Sequence, residues 1–180
     1  DGINAANADL VNYPYNIYIG GGNITVNASG DGVDSNGTIE FAGGTTIIYG
    51  PTSGANGSLD ADRGILVNGG VLVAVGPMGM IETPASNSKQ CCVCYSTSGS
   101  ANSQLVIKDD KGNVLFELTS PTSYQSVVVS LPEFAIGSIY SITTSSSTQT
   151  FNITSILTNA LGGGMGPGGN MGPGGRPPRR

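Results

Sequence analysis

Three short segments place acidic and amide residues at matching positions. They are Asp1-Gly2-Ile3-Asn4-Ala5, Asp31-Gly32-Val33-Asp34-Ser35 and Gly57-Ser58-Leu59-Asp60-Ala61. If they are successive strands of one stack, equivalent residues lie about 4.8 Å apart. Asp34 and Asp60 then become stacked neighbours, Asn4 continues the ladder, and Asp1, Asp31 and Asp62 lie nearby. Two carboxylates at that separation repel by roughly 3 kcal/mol at an effective dielectric near ~20. Arg63 is the single base in the first 88 residues, set against eight acids. A hard divalent cation relieves such repulsion. Carboxylates, Asn amide oxygens and turn carbonyls are the oxygen ligands that Ca²⁺ takes. Asp1, Asn4, Asp31, Asp34, Asp60 and Asp62 are the candidate metal residues, and Ca²⁺ is the cofactor they would suit. The competing reading is that these Asp and Asn residues only shape turns and stay solvated.

Other candidate groups are fewer. Sugar rings stack on aromatic faces, and Trp is absent. Tyr13, Tyr15, Tyr18 and Tyr49 are the carbohydrate-binding candidates, with Tyr13-Pro14-Tyr15 in a turn ahead of a strand. Tyrosines that merely cover a flank with their hydroxyls in water are the alternative. An acidic glycan such as pectin needs few aromatics, because shared Ca²⁺ can hold it. Cys91, Cys92 and Cys94 lie on one strand, Cys92 and Cys94 on one face and Cys91 on the other. Residues two apart on a strand are poorly placed for a disulfide. A zinc site needs a fourth ligand, and the chain has no His. Two readings remain for these cysteines: small buried apolar residues, or a contact between chains.

Catalysis has little to work with. Without His the commonest general base is missing. A polysaccharide lyase would use Arg63 as its base but would also need basic residues to grip the uronate, and none precedes Lys89. Glycoside hydrolysis needs a carboxylate pair facing a cleft; Asp31 with Asp34, or Asp60 with Asp62, is better explained by turns and Ca²⁺. The chain is expected not to be an enzyme.

The elements that would position these residues repeat. Gly21-Gly22-Asn23-Ile24-Thr25-Val26, Gly43-Gly44-Thr45-Thr46-Ile47-Ile48 and Gly69-Gly70-Val71-Leu72-Val73-Ala74 line up. Each follows a short apolar strand: Ile17–Ile19, Thr38–Phe41 and Ile65–Val67. A weaker fourth copy of the acidic segment is Gly79-Met80-Ile81-Glu82. Three strands per unit at a period of 22 to 30 residues predict a β-solenoid. Alternation puts Ile3, Val33 and Leu59 inward and Asn4, Asp34 and Asp60 outward. The glycine pairs fit corners that need positive φ and no Cβ. A β-sandwich is the competing architecture.

After Pro84 the pattern changes. Cys91–Tyr95, Leu105–Ile107, Val114–Leu118, Ser126–Val129 and Ser138–Thr143 read as strands. Asp109-Asp110-Lys111-Gly112-Asn113 reads as a hairpin turn with Gly in the left-handed region. A solenoid end exposes unpaired backbone and needs a cap. The predicted organisation is parallel repeats over 1–84, an antiparallel β cap over 85–157, and a flexible tail over 158–180 whose Gly/Pro-rich part is 162–180.

Net charge is −5, and Arg176, Arg179 and Arg180 offset a still more acidic body. That body is a poor partner for nucleic acid. No apolar run approaches the ~18 residues of a membrane span. The chain opens on Asp1 in mid-pattern, which reads as a processed chain or a fragment.

Gly30-Asp31-Gly32-Val33-Asp34-Ser35-Asn36-Gly37 followed by a strand and Gly-Gly resembles the carbohydrate-binding β-helix family of bacterial surface proteins. Tyr124–Ser130, then Pro132-Glu133, then Gly137-Ser138-Ile139-Tyr140 is similar to the C-terminal segment of that family, so the resemblance covers about residues 1–145. It implies a right-handed parallel β-helix, Ca²⁺ in turn sites, an extracellular or cell-surface location, and binding to plant cell-wall polysaccharide. A second expectation keeps the fold but changes the role: solenoid ends can continue the sheet from copy to copy, making the chain a subunit of an extracellular filament.

Overall fold

The computed structural model describes residues 1–161 except positions 8, 11, 53 and 54; the expected tail segment 162–180 lies outside the described residues. The described chain is all-β, and it holds no helix long and apolar enough to cross a membrane.

Seven strands form the first half: β1 (Ile3–Ala5), β2 (Ile17–Ile19), β3 (Asn23–Asn27), β4 (Val33–Ser35), β5 (Ile39–Tyr49), β6 (Leu59–Ala61) and β7 (Ile65–Gly76). Every pairing among them is parallel. In the small sheet β1-β4-β6, Ile3 pairs with Val33 and Val33 with Leu59, as the repeat predicts. β2 and β3 both lie against the long strand β5, which lies against β7. The second glycine of each pair takes the left-handed region: Gly22, Gly44 and Gly70 have φ of 87°, 76° and 83°. A Cβ at Gly44 would lie 2.4 Å from the Gly22 carbonyl oxygen, so the corner fits by backbone stacking on backbone.

The second half adds β8 (Cys92–Gly99), β9 (Ser103–Asp109), β10 (Val114–Ser120), β11 (Tyr124–Ser130), β12 (Ile139–Thr143), β13 (Thr148–Asn152) and β14 (Leu157–Ala160). Five of these match expected strands; β13 and β14 were not anticipated. β10-β9-β12-β13 make an antiparallel sheet, and Gly112 takes φ 85° in the β9–β10 turn. β11 pairs antiparallel with β7, β8 antiparallel with β11, and β14 parallel with β8. The largest sheet therefore runs β14-β8-β11-β7-β5-β2 and is mixed. Parallel stacking stops at β7, whose free edge is taken by the apolar run of β11. β14 also carries ordered strand past residue 157 into the segment expected to be tail.

The mixed sheet has a core on each face. Alternation sorts β7 and β11: Val73, Val75, Val127 and Val129 face one core, and Leu72, Ala74 and Val128 the other. The first core lies against the antiparallel sheet through Leu105, Ile107, Ile142 and Phe151. The second lies against the small sheet through Val33, Leu59 and Ala61.

Two expectations are corrected by these cores. Tyr49 is not a surface aromatic: it ends β5 on the face covered by the antiparallel sheet and is 8% exposed. Cys91, Cys92 and Cys94 are all free thiols buried in the chain, so they are not presented for an inter-chain contact. They do split across faces as expected, Cys91 into one core and Cys92 and Cys94 into the other.

Candidate functional site

The acidic segments converge at the start of the small sheet. Asp1 and Asp31 occupy equivalent places and do equivalent work. Asp1 Oδ1 accepts the Asp31 backbone N–H at 3.1 Å, and Asp31 Oδ1 accepts the Gly57 N–H at 2.7 Å. Each carboxylate thus ties its own repeat unit to the next, and the ladder stops at Gly57, which has no side chain. Across the first strand pair, Asn4 Nδ2 donates to Asp1 Oδ2 at 2.7 Å and to Asp34 Oδ2 at 2.9 Å.

Carboxylate oxygens of Asp1, Asp31 and Asp34 lie within 4.8 Å of one another. Two oxygens on opposite sides of a Ca²⁺ at its ordinary bond length are about 4.8 Å apart. The donor set and its span therefore fit a hard cation. Asn4, Asp34 and Asp60 were expected to face solvent: Asn4 does, but Asp34 and Asp60 are only 5% and 4% exposed, as is Asp31 nearby at 2%. Stacking in register with Asn4 above and Asp60 below covers Asp34. Asp34 and Asp60 both have polar or electrostatic partners.

The six expected metal residues do not form one group. Asp1, Asp31 and Asp34 come together, with Asn4 as donor between two of them. Asn4 would serve as a ligand only by turning its amide to present Oδ1. Asp60 is next in the column by register. Asp62 lies past the opposite end of the small sheet, where it accepts from Asn36 Nδ2 at 3.0 Å.

Of the tyrosines, Tyr13 and Tyr18 are well exposed, at 58% and 67%. Tyr13 and Tyr15 have ring centroids 6.1 Å apart at 43°. Tyr15 is less available: its hydroxyl donates to the Leu10 carbonyl at 2.7 Å and its own carbonyl accepts from Ser35 Oγ. Local desolvation first, then the neighbouring Tyr13 and Asp9, raises its phenol pKa.

Glu82, which the sequence places in a weaker fourth copy of the acidic segment, has a structural role. Its Oε2 accepts the Ala61 N–H at 2.8 Å, so a side chain closes the outer edge of β6 where a further strand would pair. The alignment of Gly79–Glu82 with the acidic segments was the available signal.

Comparison of the chain with known protein families, curated proteins and solved structures finds no match.

Proposed function

We propose that this is a non-catalytic, extracellular protein that binds Ca²⁺ and, through it, an acidic cell-wall polysaccharide, on a right-handed parallel β-helix formed by residues 1–84. The observation that carries the reading is the gathering of Asp1, Asp31 and Asp34 within the span of one Ca²⁺ coordination sphere. The first oxygens of Asp1 and Asp31 hold backbone N–H groups, and the second oxygen of Asp1 accepts from Asn4, so a cation here would take the place of the Asn4 amide N–H between Asp1 and Asp34. The right hand follows from the general rule for parallel crossovers. A cation at this cluster with an open position would accept uronate carboxylates, turning an acidic surface into an acceptor for an acidic polymer. Neutral glucans would depend instead on Tyr13, Tyr15 and Tyr18.

The test is Asp34→Ala combined with Asp60→Ala, measured against polygalacturonate and cellulose. Polygalacturonate binding is expected to vanish while cellulose binding persists. Wild-type melting should also fall by several degrees in excess chelator, since a ligand at a hundredfold excess over Kd adds about 2.7 kcal/mol. Equal binding of both polymers to the double variant, or an unchanged melt, overturns the reading.

A second reading rests on a different observation. Among the described residues, β1, β2 and β3 each pair on one side only, with β4, β5 and β5. Another copy continuing those edges would make a filament. Sedimentation of the purified chain separates the two: a filament subunit grows with concentration, and a monomeric binder does not.

A further inference from the structure

Away from the acidic cluster, a cleft of about 260 Å³ opens between the C-terminal end of β8, the start of β11 and the β12–β13 turn. Ser98, Ser100, Tyr124, Gln125, Ser145 and Ser146 line it, and no charged residue is among its described lining. A second cleft of about 320 Å³ shares Ser98, Gln125 and Ser146 and adds Gln149, so the two run together. Serine hydroxyls tie the walls: Ser146 Oγ donates to the Ser98 carbonyl at 2.6 Å, and Ser145 Oγ accepts the Ser100 N–H at 3.0 Å.

One lining group stands out. Tyr124 is 3% exposed, and its hydroxyl has no hydrogen-bond partner. Buried phenols ordinarily find one. The ring itself is explained. Tyr124 pairs with Gly99 across β11 and β8, and a Cβ at Gly99 would lie 2.3 Å from Tyr124 Cζ. Gly99 is not among the positive-φ glycines, so it leaves room for the ring rather than serving a turn. The hydroxyl oxygen would lie 2.4 Å from that Cβ as well, so it packs over Gly99 with the ring, but this contact gives it no hydrogen bond.

We propose that this cleft is a second binding site, for a neutral sugar chain, and that the Tyr124 hydroxyl completes its hydrogen bonding on the ligand. Hydroxyls and side-chain amides both donate and accept, as sugar hydroxyls do. An uncharged lining gives a phosphate, a carboxylate or an ammonium no opposite charge to offset its desolvation, and a hydroxyl-rich one gives an apolar ligand little. The site uses none of the residues of the acidic cluster and stands or falls independently of it.

The test begins with a printed array of neutral glucans, mannans, xylans and galactans, probed with and without chelator. Binding to at least one of them that survives the chelator is expected. Tyr124→Phe should then weaken that glycan by about tenfold without lowering the melting temperature, since the hydroxyl makes no hydrogen bond in the chain. Gln125→Ala, on the exposed rim, should weaken the same glycan, and neither variant should change polygalacturonate binding. Absence of any chelator-resistant neutral glycan, or wild-type binding by both variants, overturns the proposal. Failure of the polygalacturonate arm alone counts against the acidic cluster and leaves this cleft standing.

Discussion

Asn4 and Asp34 face each other across parallel strands β1 and β4, and the Asn4 amide donates to Asp34 Oδ2 at 2.9 Å while also holding Asp1 Oδ2 at 2.7 Å. A single neutral amide thus supplies the positive end of a dipole to two carboxylates. Replacing it with a third partner of the wrong sign should expose how much the cluster depends on a cation. Asn4→Asp is expected to destabilise the chelated protein by about 1–3 kcal/mol, through a lost charge-assisted hydrogen bond and added repulsion. With Ca²⁺ present, the extra oxygen ligand should recover most of that loss. Paired melting curves with Ca²⁺ and with chelator measure it; a gap no wider than in the wild type counts against a cation at this position.

The corner glycines give a prediction with a built-in control. Gly44 has φ 76°, and a Cβ there would meet the Gly22 carbonyl oxygen at 2.4 Å. Gly21, one step before an equivalent corner, has nothing within 4 Å of its Cβ position and no positive φ. Gly44→Ala should cost about 1–3 kcal/mol from backbone strain alone, while Gly21→Ala should be close to neutral. Urea unfolding of the two variants compares them directly, and equal midpoints would remove the corner argument.

Alkaline pH should unfold the protein by a route that runs through its core. Burial pushes the thiols of Cys92 and Cys94 up to about 11 and about 12, and the Tyr124 phenol to about 12. The thiol of an unfolded cysteine ionises near ~8.5–9. Between those values the unfolded chain has lost protons that the folded chain keeps, so stability falls as pH rises from about 9 towards 12. Below that window these groups contribute no pH dependence. Urea midpoints from pH 8 to 11 should decline, and the decline should be shallower in Cys92→Ala with Cys94→Ala. The same burial predicts that a thiol reagent modifies these cysteines only on unfolding.

The parallel half was legible because its signal is repetition. Ile3, Val33 and Leu59 share a column because each follows the same turn, and the second glycine of each pair takes positive φ as the corner requires. What could not be read was how the stack ends. β11 looks like any alternating strand, and nothing local says that its partner is β7, some fifty residues earlier, or that the pairing is antiparallel. Tyr49 was misplaced for the same reason: the sheet that covers it is made by residues far along the chain. Asp34 and Asp60 were assigned to the right column but to the wrong solvent exposure, since alternation fixes a face and not what lies over it. β13 and β14 are polar and short, and they become strands only because β12 and β8 offer them free edges.

Gly22, Gly44 and Gly70 meet main chain to main chain, with no side chain to recognise which neighbour lies above or below. That corner therefore imposes no identity on the unit it joins. A duplicated or deleted unit would find the same fit at the corner, so the number of units can drift over evolutionary time with little local penalty. Discrimination falls instead to residues that differ from unit to unit. The carboxylate of Asp31 has a successor at Gly57 that cannot repeat its contact, and Glu82 occupies the edge where another strand would start. The stack is therefore closed at this end three times over: a Cβ at position 57 would meet the Met80 carbonyl oxygen at 2.4 Å, Glu82 caps β6, and β11 holds the edge of β7.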